Sequence, residues 1–180
     1  MRVITGTAKG RRLITLEGED IRPTSDKVKG AIFNSIQFDI EGRTVLDLFA
    51  GSGSLGIEAL SRGAKKAVFV DLSRDAVRVV NENLEHCKLK NNATVFNGDS
   101  LSYLKTTREK FDIIFIDPPY RKQLAQKALS LVKNVINDGG IIVCETGFDE
   151  DVPEQIGDYI VSKSDKYSKT KLTIYRYNND

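Results

Sequence analysis

From Thr44 onward, short apolar segments rich in β-branched residues alternate with segments of helical periodicity, and this alternation restricts the fold more than any other feature. The apolar segments are residues 45–49, 67–70, 94–96, 113–116 and 141–144. Apolar side chains recur three or four residues apart at Val77, Val80, Leu84 and Cys87, and at Leu124, Ala128, Leu131 and Val135. Apolar strands that alternate with helices predict a parallel sheet covered on both faces.

The carboxyl end of the chain departs from this alternation. Residues 159–164 and 171–177 read as two β segments with no helix between them, which predicts an antiparallel hairpin at the sheet edge. We therefore expect a Rossmann-like α/β fold with a seven-stranded, mostly parallel sheet and an antiparallel carboxyl-terminal hairpin.

The amino end is predicted to be a small extension of this sheet. Residues 2–5 and 11–16 read as short strands around a turn, and Ser25 is a plausible N-cap for the helix that follows. We expect residues 1–40 to form this hairpin-and-helix extension and residues 41–180 to form the main domain, within a single structural unit.

The composition indicates one globular domain. The chain has 180 residues, of which 40% are hydrophobic and 29% are charged. No apolar run approaches the roughly 18 residues that a membrane span needs, and residues 1–12 lack the apolar core of a signal peptide, so we expect a cytoplasmic protein. Cys87 and Cys144 suit a reducing compartment, and a single histidine, His86, excludes His-rich metal sites.

Charge is informative through its distribution, because the net charge is only +2. The first sixteen residues contain four basic residues and no acidic one, and two more basic residues directly follow Tyr120. Clustered positive charge indicates contact with nucleic-acid phosphates, although charged residues often only face solvent. These basic residues are Arg2, Lys9, Arg11, Arg12, Arg121 and Lys122.

A glycine-rich turn joins the first strand of the main domain to a helix. Gly51, Gly53 and Gly56 match the pattern G-x-G-x-x-G, and Asp71 follows at the end of the second strand. Such glycines let the backbone approach a nucleotide-type ligand, whose ribose hydroxyls can donate hydrogen bonds to the acidic residue. A turn that serves only close helix–strand packing would carry the same glycines.

Two cofactor classes compete for this turn. A dinucleotide would place its pyrophosphate on the helix N-terminus. S-adenosylmethionine needs no phosphate site and typically has an acid at the end of the first strand, where Asp47 stands four residues before Gly51. A carboxylate there would repel a pyrophosphate but could hold the ammonium group of S-adenosylmethionine. Asp47 therefore favours S-adenosylmethionine.

The second motif is Asp117-Pro118-Pro119-Tyr120, which directly follows the apolar segment 113–116. Both prolines restrict φ and lack an N–H, so the motif is predicted to be a stiff loop at a strand's carboxyl end, where ligands bind. Asp117 and the Pro118 carbonyl can accept both hydrogens of an exocyclic amino group while Tyr120 stacks on the base. The nitrogen lone pair can then point at a methyl donor, although a plain turn with an incidental tyrosine is the simpler alternative.

The two motifs resemble those of amino-methyltransferases that depend on S-adenosylmethionine. Segments 6–11, 22–28 and 167–171 are similar to those of the bacterial 16S ribosomal RNA guanine-N2 methyltransferase family, so the resemblance covers nearly the whole chain. The tetrapeptide alone is shared with adenine-N6 and cytosine-N4 enzymes, so the guanine assignment depends on the flanking segments. The resemblance implies a class I methyltransferase domain at residues 41–180 that methylates guanine N2 in 16S rRNA.

The resemblance also implies roles for single residues. Asp71 would bind the ribose, Leu72 would pack on the adenine, and Asp99 would meet the adenine amino group, although Asp99 also reads as a helix N-cap. The implied cofactor residues are Arg22, Thr24, Asp47, Phe49, Ala50, Gly51, Gly53, Asp71, Leu72, Asp99 and Ser100. The implied catalytic residues are Asp117, Pro118 and Tyr120, and the implied RNA contacts are Arg2, Lys9, Arg11, Arg12, Pro119, Arg121 and Lys122.

The expected partner is 16S rRNA, or a 30S subunit or assembly intermediate, bound by a monomer without metal or membrane. Adenine-N6 methylation of DNA or RNA is the main alternative function. Protein glutamine-N5 methyltransferases usually carry Asn in place of Asp117, and a nicotinamide oxidoreductase would need a substrate domain. A non-catalytic RNA-binding module would not need an intact cofactor pocket. We expect His86 to be exposed on a helix, and Cys87 and Cys144 to be buried by packing.

Overall fold

A single mixed sheet organises the molecule. The computed structural model describes residues 1–16, 25–120 and 123–178. The strands are β1 (Thr44–Leu48), β2 (Lys66–Asp71), β3 (Ala93–Asn97), β4 (Phe111–Ile116), β5 (Ile136–Gly147), β6 (Gln155–Ile156), β7 (Tyr159–Tyr167) and β8 (Thr170–Tyr177). In these described residues, eight strands lie in the order β3-β2-β1-β4-β5-β8-β7-β6. Strands β1 to β5 are parallel, and β8 is antiparallel to β5 and β7, which confirms the predicted fold.

Helices cover both faces of the sheet. They are α1 (Asp26–Ser35), α2 (Ser54–Ser61), α3 (Arg74–His86), α4 (Ser100–Thr106) and α5 (Leu124–Val132), with a 3₁₀ turn at Lys90–Asn92. Successive residues of β1 enter different cores: Val45 packs with α1, α2 and α3, whereas Leu46 packs with α4 and α5. None of the described helices is long and apolar enough to cross a lipid bilayer.

Strand order reverses at β1, and this reversal positions the site. The helix after β1 packs on one face of the sheet and the helix before β4 packs on the other. Helices that leave in opposite directions open a crevice at the carboxyl ends of the central strands, which is where such sheets bind ligands.

Two details of the sheet differ from the sequence prediction. The sheet has eight strands instead of seven, because β6 pairs with β7 at the edge through only two residues, too few for a periodic signal. Strand β5 begins at Ile136, although residues 141–144 were the predicted extent. The sequence does not predict the start of this strand, because Gly139 and Gly140 interrupt the apolar segment and glycine has a low β-sheet propensity. His86 is exposed, and Cys87 and Cys144 are buried, as expected.

One bridge between Arg2 and Arg12 replaces the two strands predicted at the amino end. The predicted hairpin is present but short: Val3 N donates to the Arg11 carbonyl at 2.9 Å and Leu13 N donates to the Met1 carbonyl at 3.1 Å. The pairing does not extend further, because α2 takes the next backbone donors. Glu58 accepts the N–H of Ile4 at 2.8 Å and that of Thr5 at 3.0 Å. The amino-terminal segment, defined as residues 1–16, is therefore held both by pairing with itself and by side chains of the main domain.

A second anchor lies one turn further along α2. Gly6 has a φ of +88°, and a Cβ added to it would lie 1.7 Å from the Ser61 carbonyl oxygen, so only glycine fits. The Ser61 hydroxyl accepts the N–H of Ala8 at 2.9 Å and donates to the carbonyl of Thr5 at 2.6 Å. These contacts fix the path of the amino-terminal segment across α2.

Helix α1 begins as predicted and carries a buried charge. Ser25 caps it by accepting the N–H of Val28 at 3.2 Å. The fully buried Lys29 lies 3.3 Å from Glu58 and donates to the Arg2 carbonyl at 2.6 Å. Burial lowers the pKa of Lys29, and the Glu58 carboxylate opposes that shift. This ion pair joins α1, α2 and the amino-terminal segment.

Candidate active site

A cavity of about 370 Å³ lies at the carboxyl ends of the central strands, in the size range of small-molecule sites. The loops after β1, β2, β3 and β4 all contribute to its walls. The predicted residues that line it are Asp47, Phe49, Ala50, Gly51, Asp71, Leu72, Asp99, Ser100, Asp117, Pro118, Pro119 and Tyr120. The fold therefore brings both sequence motifs to one site.

The turn after β1 has an unusual backbone. Phe49, Gly51 and Gly53 have φ angles of +59°, +55° and +79°, and Phe49 is a non-glycine residue in this left-handed region. Left-handed conformations of bulky residues are rare and concentrate at functional sites. At the third glycine of the motif, Gly56, an added Cβ would lie 2.3 Å from the Phe69 ring, so that glycine serves helix–sheet packing.

Two N–H groups of this turn and of the helix that follows it are donated to carboxylates of the protein. Gly51 N donates to Asp71 Oδ2 at 2.9 Å, and Gly56 N donates to Asp47 Oδ2 at 2.9 Å. A pyrophosphate would need such donors and would lie against two carboxylates. The turn therefore suits a ligand without phosphate groups, in agreement with the preference for S-adenosylmethionine that Asp47 indicates.

The cavity is acidic. Asp47, Asp71, Asp99 and Asp117 all line it, and its walls contain no lysine or arginine within the described parts of the chain. S-adenosylmethionine carries a sulfonium and an ammonium group, and its ribose hydroxyls and adenine amino group are donors, so the residues present fit this cofactor.

Asp47 is nearly fully buried at the base of the cavity, with 2% exposure. Burial raises its pKa well above the usual value, and the neighbouring carboxylates of Asp117 and Asp71 raise it further. The hydrogen bond from Gly56 N opposes this shift. A cation bound nearby would relieve this cost, which supports the predicted role of Asp47 toward an ammonium group.

Asp71 and Leu72 lie at the rim of the cavity, where the sequence places the adenosine. Asp71 accepts the N–H of Gly51 through Oδ2 and that of Ser73 through Oδ1, at 2.8 Å for the latter bond. Each carboxylate oxygen keeps a second lone pair that ribose hydroxyls can use. The Leu72 side chain is 71% exposed, so a bound base would cover an apolar surface that now faces solvent.

The loop after β3 has two tasks. Asp99 is the N-cap of α4 and accepts the N–H of Ser102 at 2.8 Å, so the N-cap reading is confirmed. Its exposed carboxylate also lines the cavity, so Asp99 can cap α4 and contact an adenine from the same position. The Ser100 hydroxyl accepts the N–H of Phe49 at 3.3 Å and so supports the strained turn.

Asp117-Pro118-Pro119-Tyr120 leaves β4 at the opposite wall of the cavity. Pro118 is buried, Pro119 is exposed, and Asp117 and Tyr120 are half-buried. The Tyr120 hydroxyl lies 2.7 Å from Thr170 Oγ1 and donates to Glu145 at 3.4 Å. The ring is thus held from β5 and β8, a support that sequence reasoning missed.

Some predicted site residues are not at the cavity. Gly53 does not line it, because it is the N-cap of α2 and faces Val80 and Ile57. The other predicted residues without a place in this description are Arg22, Thr24, Arg121 and Lys122, which lie outside the described residues.

The predicted RNA-contacting residues of the amino-terminal segment lie on the surface. Arg2, Lys9 and Arg12 are exposed. Arg11 is half-buried, and its guanidinium donates to the His86 carbonyl. Met1, Thr15 and Leu16 of the same segment line the cavity, so the basic surface adjoins the site.

Sequence reasoning missed several cavity residues. They are Met1, Thr15, Leu16, Ser52, Ser54, Leu55, Ser73, Ala76 and Leu124. Ser52, Ser54 and Leu55 could have been found, because they lie inside the glycine motif. Thr15 and Leu16 carry no sequence signal, since only the tertiary path of the amino-terminal segment brings them to the cavity. Within the described residues, no group of three His, Cys, Asp or Glu side chains is placed to hold a metal ion.

Comparison with known proteins identifies the family. The family model described as "Conserved hypothetical protein 95" matches residues 1–176. The chain belongs to this family. Its relatives include the ribosomal RNA small subunit methyltransferase D of Haemophilus influenzae, with 41% identity over 83% of this chain and 80% of the relative. The protein of the same name in Escherichia coli K12 is 34% identical over 85% of this chain and 78% of the relative.

Solved structures agree with this assignment. The Escherichia coli protein yhhF, described as a methyltransferase, aligns with 100% of this family member and 99% of its own chain at a TM-score of 0.87 and 30% identity. A Haemophilus influenzae methylase, HI0767, aligns with 98% of this chain and 97% of its own at a TM-score of 0.83 and 32% identity. The family member described here thus has the class I methyltransferase fold, and its cofactor is S-adenosylmethionine.

Proposed function

We propose that this protein transfers the methyl group of S-adenosylmethionine to the exocyclic N2 of a guanine in 16S small-subunit rRNA. The observation that carries this proposal is the meeting of two elements at one cavity: the acidic turn that suits the cofactor, and the Asp117–Tyr120 loop that suits an aromatic amine. The names of the relatives, which specify small-subunit rRNA, support the substrate class.

The cofactor supplies an electrophilic methyl group bound to a sulfonium. On the protein side, Asp47, Asp71 and Asp99 would hold its ammonium, ribose and adenine groups, with Leu72 against the base. Asp117 and the Pro118 carbonyl would accept the two hydrogens of the guanine amino group and so orient its lone pair. The same two acceptors would stabilise the positive charge that grows on the nitrogen, so no metal is needed.

Tyr120 would bind the base by stacking. A base that stacks on an aromatic side chain gains about 1–3 kcal/mol. The contact with Thr170 at 2.7 Å fixes the ring at the cavity before the base arrives, so little conformational entropy is lost on binding. Positioning of this kind supplies most of the rate enhancement when a reaction needs no covalent intermediate.

RNA would approach along the amino-terminal segment. Arg2, Lys9 and Arg12 are exposed there, and the segment's ends border the cavity. Contacts with phosphates would position the strand, while the cavity selects the base. We propose that a monomer acts in the cytoplasm on 16S rRNA, either free or within a 30S subunit or an assembly intermediate.

The decisive experiment uses 16S rRNA from a strain that lacks the enzyme. Purified protein and labelled S-adenosylmethionine are incubated with the free rRNA and, in parallel, with 30S subunits, and the modified nucleoside is identified by mass spectrometry. We expect N2-methylguanosine, and at most about 1% of the wild-type rate with Asp117→Ala. N6-methyladenosine as the product would replace the guanine proposal with the adenine alternative. Methylation of duplex DNA in a parallel incubation, with no methylation of the rRNA or the subunits, would refute an RNA substrate.

A further inference from the structure

We propose that Asn83 is a positioning residue for the cofactor site, because it fastens the amino-terminal segment to the glycine turn. Asn83 lies on α3 and has no solvent exposure. Its Oδ1 accepts the N–H of Ile14 at 2.8 Å, and its Nδ2 donates to the Ile14 carbonyl at 2.9 Å and to the Ser52 carbonyl at 2.9 Å. The inference concerns the S-adenosylmethionine site and does not depend on which base is methylated.

The side-chain amide of Asn83 acts as a substitute for a neighbouring strand. It exchanges two hydrogen bonds with the backbone of Ile14, as paired residues of a β-ladder do, and its remaining N–H hydrogen reaches Ser52. A buried amide that loses such partners pays the full cost of desolvation. All three bonds exist together only when the amino-terminal segment and the glycine turn are both in place.

One end of this link, Ser52, lines the cavity, and the other end, Ile14, directly adjoins residues that line it. Ser52 lies between Gly51 and Gly53, which both have left-handed backbone conformations, so the direction of its carbonyl depends on the conformation of the turn. Ile14 directly precedes Thr15 and Leu16, which line the cavity from the amino-terminal segment. Asn83 itself does not line the cavity and acts through these two neighbours.

Coupling of this kind must be reciprocal. If docking of the segment favours cofactor binding, then cofactor binding must favour docking of the segment to the same extent. The amide of Ile14, which donates to Asn83, therefore reports on the coupling in the unmodified protein. The amide of Ala8 is a matched control, since it donates to the Ser61 hydroxyl in the same segment but away from the cavity.

Hydrogen exchange on the wild-type protein tests this reciprocity. With saturating S-adenosylhomocysteine, we expect exchange at the Ile14 amide to slow by about tenfold, the equivalent of about 1.4 kcal/mol of coupling, and exchange at the Ala8 amide to change less than threefold. Equal slowing at both amides would show a general stabilisation and would overturn the proposal. No slowing at Ile14 would overturn it as well.

Calorimetric binding of S-adenosylhomocysteine to two variants gives an independent test. Asn83→Ala and Ser61→Ala each remove a buried anchor of the amino-terminal segment, and both should lower the melting temperature. We expect Kd to rise about tenfold in Asn83→Ala and to stay within about twofold of wild type in Ser61→Ala. An unchanged Kd in Asn83→Ala, or an equal rise in both variants, would contradict the proposal. If the wild-type protein failed to bind S-adenosylhomocysteine, the cofactor assignment would be refuted instead. If Asn83→Ala did not fold, the hydrogen-exchange experiment on the wild-type protein would still test the proposal.

Discussion

The hydroxyl of Tyr120 lies 2.7 Å from the hydroxyl of Thr170, although the two residues are 50 positions apart in the sequence. Thr170 begins β8, the strand that pairs antiparallel with β5, and its side chain is buried. The ring that would stack on the substrate base is therefore oriented by the carboxyl-terminal hairpin. This hairpin is thus part of the candidate active site as well as the continuation of the sheet.

Loss of the Tyr120 hydroxyl should have a small but measurable effect. Tyr120→Phe keeps the stacking face but loses the 2.7 Å hydrogen bond with Thr170 and the longer 3.4 Å bond with Glu145. Since a hydrogen bond contributes about 0.5–1.5 kcal/mol, the loss of the shorter bond alone should lower methylation efficiency, kcat/KM, about 2- to 10-fold. Thr170→Val should give a similar or smaller loss, because it removes only the bond between Thr170 and Tyr120. The double variant should be no worse than Tyr120→Phe, because that variant already lacks this bond. Additive losses in the double variant would show that the two hydroxyls act separately.

Thr173→Val is the matched control for Thr170→Val. Thr173 lies on the same strand, and its buried hydroxyl has no hydrogen-bond partner among the described residues. Removing an unpaired buried hydroxyl should leave kcat/KM unchanged and should not lower stability. Tyr120→Ala, which also removes the stacking face, should be clearly worse than Tyr120→Phe.

Substitution of Asp117 should lower turnover while cofactor affinity stays nearly unchanged. Asp117→Ala removes a negatively charged acceptor aimed at the reacting amine, so kcat should fall about 10²- to 10³-fold, the usual cost of losing one preorganised electrostatic contact. Asp117→Asn keeps an acceptor oxygen without the charge and should lie between Asp117→Ala and wild type. Single-turnover kinetics with saturating cofactor, together with calorimetry, measure both properties. Near-wild-type kcat in Asp117→Ala would contradict the proposed mechanism.

We expect the ionised carboxylate of Asp47 to destabilise the cofactor-free protein and to strengthen cofactor binding. Its effect on stability should depend on pH. Burial raises its pKa in the folded protein above the value of 3.8 taken for the unfolded chain. The native state therefore binds the proton more tightly, so the stabilising contribution is complete below pH 3.8 and is lost as pH rises through the folded pKa. Asp47→Asn should thus make the cofactor-free protein more stable than wild type at pH 7.5, and this difference should shrink as pH falls.

Urea unfolding across this pH range measures the effect, and calorimetry measures its functional cost. We expect the same Asp47→Asn variant to bind S-adenosylmethionine about tenfold more weakly, a loss of about 1.4 kcal/mol, since a charged contact with the ammonium group is lost. If Asp47→Asn were less stable than wild type at pH 7.5, the protein would already offset the cost of burying the ionised carboxylate without the cofactor.

The buried pair Lys29–Glu58 should matter for stability. Lys29→Met keeps the volume of the side chain but leaves Glu58 buried without this cation, which should cost about 3–5 kcal/mol of unfolding free energy. Glu58 keeps the guanidinium of Arg62 at 2.9 Å, so the loss should fall at the lower end of that range. As a control, Lys66→Met breaks the exposed pair with Glu109 and should change stability by less than about 1 kcal/mol.

Local features of the sequence were sufficient for most of the fold and for the two motifs. Apolar periodicity predicts strands and helices because it reflects the repeat of each element, and glycine and proline restrict the backbone wherever they stand. Asp47 and Asp117 could be placed at the same sheet edge for this reason, since each directly follows or ends a predicted parallel strand. The same local features also favoured S-adenosylmethionine over a dinucleotide, because Asp47 stands where a pyrophosphate would be repelled.

Tertiary structure decided the features that depend on distant residues. Gly51 N and Gly56 N donate to the carboxylates of Asp71 and Asp47, and these two carboxylates oppose a pyrophosphate at the turn. Asn83 carries no signal in the sequence, because an asparagine on a helix is ordinary until the fold brings Ile14 to it. Thr170 lies in a segment that resembles the family, but only the fold shows that its hydroxyl meets Tyr120. Element type follows from local backbone preferences, whereas the walls of the site follow from side-chain contacts between chain segments that only the complete packing brings together.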